Sequence, residues 1–191
     1  MEVVAVTKGF GADAVVAAAA AGCRAIGENY AQELLAKAPT AGEAGMAVHF
    51  IGQLQTNKVR QLAGLVDVWE TVDRTRLVVE LGRRAPGCTV LVQVDTTGEE
   101  GKGGCPIAEV PALVRTATDA GLVVAGLMTV GPTDGGPEAA RPGFRAVRAL
   151  VDELGLTTCS MGMSADVDVA LEEGSTEIRV GTALFGPRPP R

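Results

Sequence analysis

Segments that read as β-strands and as α-helices alternate along the whole chain, and this alternation restricts the possible folds more than any other feature. The chain opens with Val3–Thr7, whose β-branched residues suit a strand buried on both faces, and a helical pattern follows at Ala12–Ala21. The same order repeats about eight times, down to a strand expected at Glu177–Phe185. Such repetition is typical of a parallel sheet with its crossover helices outside.

Several local signals predict where helices begin and end. The second helix is expected at Tyr30–Ala38, with Pro39 ending it, because proline removes a hydrogen bond inside a helix. Thr56 is a plausible N-cap of the third helix. A later helix is expected at Pro106–Ala120, with the proline in its first turn.

Eight parallel strands are the number that closes a (β/α)8 barrel, the TIM barrel, and we expect this α/β fold. A doubly wound open sheet gives the same alternation and is the competing architecture. The chain has 191 residues, which favours one well-cored domain spanning 1–191 over two small domains. Such a barrel is lean, because about 250 residues is typical.

The acidic composition disfavours a nucleic-acid partner, because the formal net charge is -6 and nucleic-acid binding rests on clustered basic residues. The longest apolar run, Ala14–Cys23, is much shorter than the roughly 20 residues that span a bilayer. The opening residues do not have the pattern of a secretory signal peptide. We therefore expect a cytoplasmic protein without a membrane partner.

The cysteines and the single histidine do not predict a metal site. The cysteines are Cys23, Cys88, Cys105 and Cys159, and no two of them form a CxxC pair. A structural zinc site needs about four cysteine or histidine ligands, usually in closely spaced pairs. We therefore expect neither a metal site nor a disulfide framework, and we interpret the cysteines as small apolar residues of the structure.

Two glycine-rich segments resemble phosphate-binding loops. Gly9–Ala14 fits the pattern G-x-G-x-x-A between a strand and a helix, and Glu28 follows near the expected place of a ribose-binding acid. The chain has 25 glycines, so a match this short arises easily by chance. Gly98–Gly104 lacks a serine or threonine after Lys102 and is interpreted as a flexible loop. A nucleotide-binding module is therefore a minor alternative.

Functional groups of a parallel barrel gather at the carboxyl ends of its strands. Lys8 ends the first strand, Asn29 follows the second and His49 lies in the third. After the last two strands, Ser164 precedes a helix and Gly181–Thr182 offer backbone N–H groups, an arrangement that suits a phosphate. The alternative to a phosphate site is that Ser164 is an ordinary N-cap and Gly181 a packing glycine, and the sequence supports both interpretations about equally.

The first and last strands are neighbours in a closed barrel, which would place Lys8 beside Arg179. Arg179 shares one strand face with Gly181, and a charge directed into a barrel must be paired or serve a ligand. Nearby positive charge favours a neutral, nucleophilic amine, so this arrangement suits an aldehyde cofactor such as pyridoxal phosphate, with Arg179 at its pyridine nitrogen. A solvated lysine and a surface arginine are the alternatives.

Five motifs, in order along nearly the whole chain, resemble the YggS/PROSC family of pyridoxal phosphate homeostasis proteins. They are Ala5-Val6-Thr7-Lys8, Gly27-Glu28-Asn29-Tyr30, His49–Lys58, Gly162-Met163-Ser164-Ala165-Asp166 and Arg179–Gly186. The resemblance implies a barrel like the N-terminal domain of alanine racemase. Relatives carry a helical segment before the first strand, so we expect a barrel with a shortened N-terminus.

The resemblance also implies that Lys8 holds pyridoxal 5′-phosphate, a form of vitamin B6, as a covalent imine (a Schiff base). The cofactor-binding residues that it implies are Lys8, Asn29, His49, Met163, Ser164, Arg179, Gly181 and Thr182. The family has no established catalytic activity and is thought to buffer or deliver the cofactor. We therefore expect a small-molecule cofactor as ligand and transient apo-enzyme recipients as partners.

A pyridoxal phosphate-dependent racemase is the alternative function. Racemisation needs acid and base groups on both faces of the imine. Racemases with a related barrel use the lysine and a tyrosine from a second, β-rich domain, whereas Tyr30 is the only tyrosine in this sequence. A carrier or regulator without designed catalysis is therefore the expected function, although fold alone does not establish it.

Overall fold

Nine strands and eight α-helices alternate along residues 1–188, the part of the chain that this computed structural model describes. The strands are β1 (Glu2–Val6), β2 (Ala25–Glu28), β3 (Ala47–Phe50), β4 (Val68–Val72), β5 (Thr89–Asp95), β6 (Cys105–Pro106), β7 (Val123–Thr129), β8 (Thr158–Ser160) and β9 (Glu177–Val180). The α-helices are α1 (Ala12–Ala20), α2 (Ala31–Glu43), α3 (Thr56–Leu62), α4 (Thr75–Arg84), α5 (Val110–Asp119), α6 (Arg141–Glu153), α7 (Val167–Glu172) and α8 (Thr182–Phe185). Short 3-10 turns at Ile107–Glu109 and Pro137–Ala140 precede α5 and α6. The predicted domain end at residue 191 lies outside the described residues.

Eight of the strands close into a parallel barrel. β1 pairs with β2 on one side and with β9 on the other, and β4 pairs with β5, which completes the ring β1-β2-β3-β4-β5-β7-β8-β9. The two-residue strand β6 lies beside β5, outside the ring. Closure confirms the predicted TIM barrel and excludes the doubly wound open sheet, which would leave two edge strands.

The main apolar core lies between the barrel and its helices. Successive side chains of a strand point to opposite faces, so each strand sends alternate residues outward against the helices. The largest fully buried side chains of this layer include Trp69 and Ile26 from the strands and Phe144, Leu34 and Leu77 from the helices. Burying each such side chain stabilises the fold by about 1.5–3 kcal/mol.

The helix α2 runs through Pro39 and ends at Glu43, so the prediction that this proline ends the helix was wrong. Proline inside a helix costs about 3 kcal/mol because it lacks an N–H and clashes with the preceding turn. Leu34, Ala38 and Ala41 are buried on the face of α2 toward the barrel, and this burial outweighs the local cost.

The last predicted strand was too long. β9 ends at Val180, and Gly181 turns the chain into the short helix α8 at Thr182–Phe185. Alternating apolar residues over so few positions do not distinguish a strand from one turn of helix. The turn matters for the site, because it brings the first N–H groups of α8 to the barrel mouth.

Two helix starts also differ from the predictions. Gln55, rather than Thr56, is the N-cap of α3, and no side chain caps that end. Pro106 belongs to β6, and α5 begins at Val110 after a 3-10 turn. Both differences are local adjustments of the backbone at helix ends, where sequence signals are weakest.

The cysteines are all free thiols, as predicted, with Cys105 and Cys159 buried and Cys23 and Cys88 half-buried. Burial raises the pKa of Cys159 to about 11, which favours the unreactive thiol over the thiolate. Within residues 1–188, no helix is both long and apolar enough to cross a membrane.

The interior of the barrel contains charged groups rather than apolar side chains alone. Three of these groups, His49, Glu70 and Glu177, face one another there, and each is at most 6% exposed. His49 Nδ1 donates to Glu70 Oε1 at 2.7 Å and lies 4.0 Å from Glu177 Oε2. Glu177 Oε1 is buried without a hydrogen-bond partner in residues 1–188, so ionised Glu177 is poorly compensated.

The pKa values in this cluster follow from burial and from the neighbouring charges. Burial, aided by the negative charge of Glu70, raises the pKa of Glu177 to about 7. Burial alone would lower the pKa of His49, but the hydrogen bond and charge of Glu70 raise it above its usual value. Protonated Glu177 therefore contributes to the free energy of unfolding at low pH. This contribution is lost as the pH rises toward about 7.

We expect Glu177→Gln to stabilise the protein more at about pH 8 than at about pH 5, because glutamine stays neutral where glutamate must ionise inside the barrel. The gain in unfolding free energy near pH 8 is expected to be about 1–3 kcal/mol. Urea unfolding of both proteins at the two pH values measures it. Glu153→Gln, on the exposed end of α6, is the matched control. An equal effect of Glu177→Gln at both pH values would contradict the assignment.

Candidate functional site

A cavity of about 390 Å³ opens at the carboxyl ends of the barrel strands. Seven of the eight residues predicted to bind a cofactor line it, namely Lys8, Asn29, Met163, Ser164, Arg179, Gly181 and Thr182. The eighth, His49, lies deeper in the barrel. Arg188 also lines the cavity, although nothing in the sequence pattern singled it out.

Lys8 brings a half-buried amine to this cavity from the end of β1. Burial lowers the pKa of Lys8, and the positive charges of Arg188 and Arg179 lower it further, while Glu28 and Glu33 act in the opposite direction. The net shift favours the neutral amine, which is the nucleophilic form. This environment is suited to covalent chemistry rather than to a merely solvated lysine.

A buried lysine on α2, Lys37, holds the backbone next to Lys8. Its Nζ donates hydrogen bonds to the carbonyl oxygen of Thr7 at 2.6 Å and to Glu28 Oε1 at 2.7 Å. Lys37 is 3% exposed and Glu28 is fully buried, so the pair is shielded from water. Lys37 was not among the predicted site residues, although it is a lysine on the otherwise apolar face of α2.

The contacts around Gly9–Ala14 do not fit a dinucleotide site. Glu28, the acid that would hold a ribose, is bonded to Lys37 and to the hydroxyl of Thr7. The N–H of Gly9 donates to Glu33 Oε2 at 2.7 Å. The acid is therefore occupied within the protein, and the glycines serve the turn between β1 and α1.

Arg179 is held in the cavity wall by partners below it. Its Nη1 donates to Ser160 Oγ at 2.6 Å, and its Nη2 donates to the carbonyl oxygen of Thr129 at 2.7 Å. Ser160 Oγ in turn donates to Glu70 Oε2 at 2.8 Å, and Arg179 Nη1 lies 3.8 Å from the same oxygen. This buried network orients the guanidinium and uses both of its terminal nitrogens. The surface-arginine alternative is thereby excluded.

The start of α8 and the loop before α7 form another side of the cavity. Ser164 was expected to lie directly before a helix, where an N-cap and a phosphate ligand were the two interpretations. The helix α7 begins at Val167, so Ser164 is not its N-cap, and Ser164 Oγ accepts a bond from the N–H of Ala183 at 3.2 Å. A Cβ at Gly181 would lie 3.1 Å from the carbonyl oxygen of Val6. A side chain there would require β1 and β9 to move apart slightly, so glycine suits this close approach.

His49 lies beneath the cavity, in the charged cluster with Glu70 and Glu177. Ligand-type atoms of these three residues lie within 4.8 Å of one another, a spacing that can suit a cation. However, His49 already donates to Glu70, and the positive Arg179 lies 3.8 Å from Glu70. These contacts compensate the carboxylate without a metal ion.

The segment Gly98–Gly104 was expected to be a flexible loop, but it is tied to the barrel mouth. Gln53 Nε2 donates to the carbonyl oxygen of Gly101 at 2.8 Å, and Gln93 Nε2 donates to that of Gly103 at 2.7 Å. Lys102 Nζ donates to the carbonyl oxygen of Gly131 at 2.7 Å. Lys102 is thus engaged by the backbone, unlike the phosphate-binding lysine of a P-loop.

A second pocket of about 620 Å³ adjoins the first, and Asn29 lines both. Tyr30, Lys58 and Arg74 line this second pocket and do not line the cavity of Lys8. Tyr30 is 48% exposed. Its place outside the cavity bears on whether the site is equipped for catalysis.

Comparison with known proteins places this geometry in a family. The profile of the family described as "Alanine racemase, N-terminal domain" matches residues 1–189. The chain is 42% identical over 178 residues to the pyridoxal phosphate homeostasis protein of Aquifex aeolicus, covering 87% of this chain and 78% of the relative. The human protein of the same name is 37% identical over 211 residues, covering 97% of this chain and 76% of that one.

Solved structures agree with these sequence matches. PipY of Synechococcus elongatus, solved with PLP bound, superposes with a TM-score of 0.86 at 32% identity, covering 97% of this chain and 92% of PipY. The barrel, the motifs and these matches lead to one assignment: the chain belongs to the YggS/PROSC family of pyridoxal phosphate homeostasis proteins, within the alanine racemase N-terminal domain family.

Proposed function

We propose that this protein binds pyridoxal 5′-phosphate through Lys8 and takes part in homeostasis of the cofactor. The observation that carries the proposal is the cavity that combines the amine of Lys8, its pKa lowered, with arginines and hydroxyl and N–H donors. The names of the relatives and the PLP-bound structure of PipY support it.

The residues present fit this cofactor. When bound, pyridoxal phosphate supplies an aldehyde that condenses with amines and a ring that withdraws electrons. The nitrogen of Lys8 forms a C=N bond with the aldehyde carbon, and the aldehyde oxygen leaves as water. Ser164 and the N–H groups of Gly181 and Thr182 suit the phosphate, which accepts hydrogen bonds strongly.

Arg179 is assigned to the pyridine nitrogen of the cofactor. A guanidinium has only hydrogen-bond donors, so it favours the unprotonated ring nitrogen. An unprotonated ring withdraws electrons less strongly, which disfavours the carbanion chemistry of amino-acid enzymes. Asn29 and Met163 complete the lining, and His49 supports Arg179 from below through Glu70 and Ser160.

A holding role is proposed rather than a racemase. Racemisation needs a second acid or base opposite the lysine, and no tyrosine of residues 1–188 lines the cavity of Lys8, since Tyr30 lines the neighbouring pocket. We further propose that the protein acts in the cytoplasm and that apo-enzymes receive the cofactor transiently. Measurable racemisation of alanine by the loaded protein would favour the alternative.

We expect Lys8→Ala to abolish the covalent linkage to pyridoxal phosphate, because no other amine occupies the same place in the cavity. The wild type with the cofactor should show a visible imine band, and borohydride reduction should leave the adduct on the peptide containing Lys8. Lys58→Ala, in the neighbouring pocket, is the matched control and should keep the band. An adduct on Lys37, Lys58 or Lys102 in the wild type would overturn the assignment.

We expect Lys37→Met to lower the unfolding free energy by about 3–5 kcal/mol, because it leaves Glu28 buried without its partner. The double variant Lys37→Met/Glu28→Leu removes both charges and should recover most of that stability. It should still bind pyridoxal phosphate more weakly, since the carbonyl of Thr7 has lost its donor. Unfolding curves and cofactor titrations separate the two effects. Wild-type affinity in the double variant would show that Lys37 does not position Lys8.

A further inference from the structure

Arg188 returns to the cofactor cavity after α8 has ended. Its side chain lies over the turn between β1 and α1, where a Cβ at Gly9 would be 3.1 Å from Arg188 Cδ. Gly9 has a φ of +80°, so glycine serves both the turn and the approach of the arginine. The guanidinium thus shares one cavity with Lys8 and Ser164.

The charge of Arg188 is not neutralised by the protein around it. No salt bridge joins it to an acidic side chain of residues 1–188. The acids that face the same region are already engaged, since Glu28 is bonded to Lys37 and Glu33 accepts from the N–H of Gly9. Arg188 is exposed, so water rather than an acidic partner solvates its guanidinium, and its N–H donors remain available to an anionic ligand.

The other groups assigned to the phosphate are neutral. Ser164, Gly181 and Thr182 supply hydroxyl and N–H donors, which orient a phosphate without balancing its charge of about −1.5 to −2. Arg179 is bonded to Ser160 and Thr129 through its terminal nitrogens, and its remaining donors are assigned to the pyridine nitrogen rather than to the phosphate. Of the two arginines that line this cavity, Arg188 is the one that is engaged neither by the barrel interior nor by the assigned pyridine nitrogen.

We infer that Arg188 binds the phosphate of the cofactor and makes the site selective for the phosphorylated aldehyde over pyridoxal. The inference rests on the proposed function, since it takes pyridoxal phosphate to be the ligand of Lys8. A guanidinium can give a phosphate two parallel charge-assisted hydrogen bonds. Such bonds are made to pyridoxal phosphate and not to pyridoxal, which has a hydroxyl group in that place.

The test measures binding of both aldehydes to the wild type, Arg188→Gln and Arg188→Lys. Arg115→Gln, exposed on α5 where that helix packs against β5 and β7, is the matched control. Absorbance titrations give the dissociation constants, and borohydride trapping reports weak imine formation with pyridoxal. Melting temperatures check that each variant is folded, which is expected because Arg188 lies outside the apolar core.

We expect Arg188→Gln to weaken pyridoxal phosphate binding at least about tenfold and to change pyridoxal binding less than about threefold. Arg188→Lys should fall between, because lysine keeps the charge and loses the bidentate geometry. The comparison of two aldehydes separates phosphate recognition from any change in the pKa of Lys8, since both aldehydes need the same neutral amine.

An equal loss for both aldehydes, or no loss for either, would overturn the role of Arg188 and leave the proposed function intact. If the wild type formed no imine with pyridoxal phosphate, or formed it on another lysine, both the proposed function and this inference would be wrong. Weakening by Arg115→Gln as large as that by Arg188→Gln would also overturn it, because net charge alone would then explain the loss.

Discussion

The parallel pairing of β1 with β9 closes the barrel, and the candidate site depends on it. In this pairing Val4 lies opposite Arg179 and Ala5 opposite Val180, so the carboxyl ends of the first and last strands reach the same rim. Lys8 comes from the start of the chain, and Gly181, Thr182 and Arg188 come from its end. Without closure these groups would lie at opposite edges of a sheet.

Closure also means that polar side chains at alternate strand positions lie inside the barrel, away from water. They therefore need hydrogen-bond partners from the protein itself. One connected set of hydrogen bonds supplies these partners, and it joins His49, Glu70, Ser160 and Arg179. The same contacts hold Arg179 in the cavity wall, so the charged interior and the ligand-facing surface are parts of one network. On the outer side of the strands, Lys37 donates to Glu28 and to the carbonyl oxygen of Thr7, and these contacts hold the backbone next to Lys8.

The proposed holding role rests on the groups that surround Lys8. Burial and two arginines lower the pKa of Lys8, which favours bond formation with an aldehyde. In the proposed binding mode Arg179 donates to a ring nitrogen, and Tyr30 lines a neighbouring pocket rather than the cavity of Lys8. Selectivity for a phosphorylated ligand would then come from Arg188, and retention from Lys8.

The sequence by itself determined the alternation of strands and helices, the parallel α/β class and the position of Lys8 at a strand end, because these follow from local periodicity. It also indicated that Ser164, Gly181 and Thr182 would face the same rim, since carboxyl ends of parallel strands meet there. Only the tertiary structure decided that Pro39 lies within α2, that Lys37 pairs with Glu28, and that Arg188 reaches the cavity. These features depend on which side chains meet across the barrel and its helices. Local propensity carries no information about such distant partners, and burial against them outweighs it.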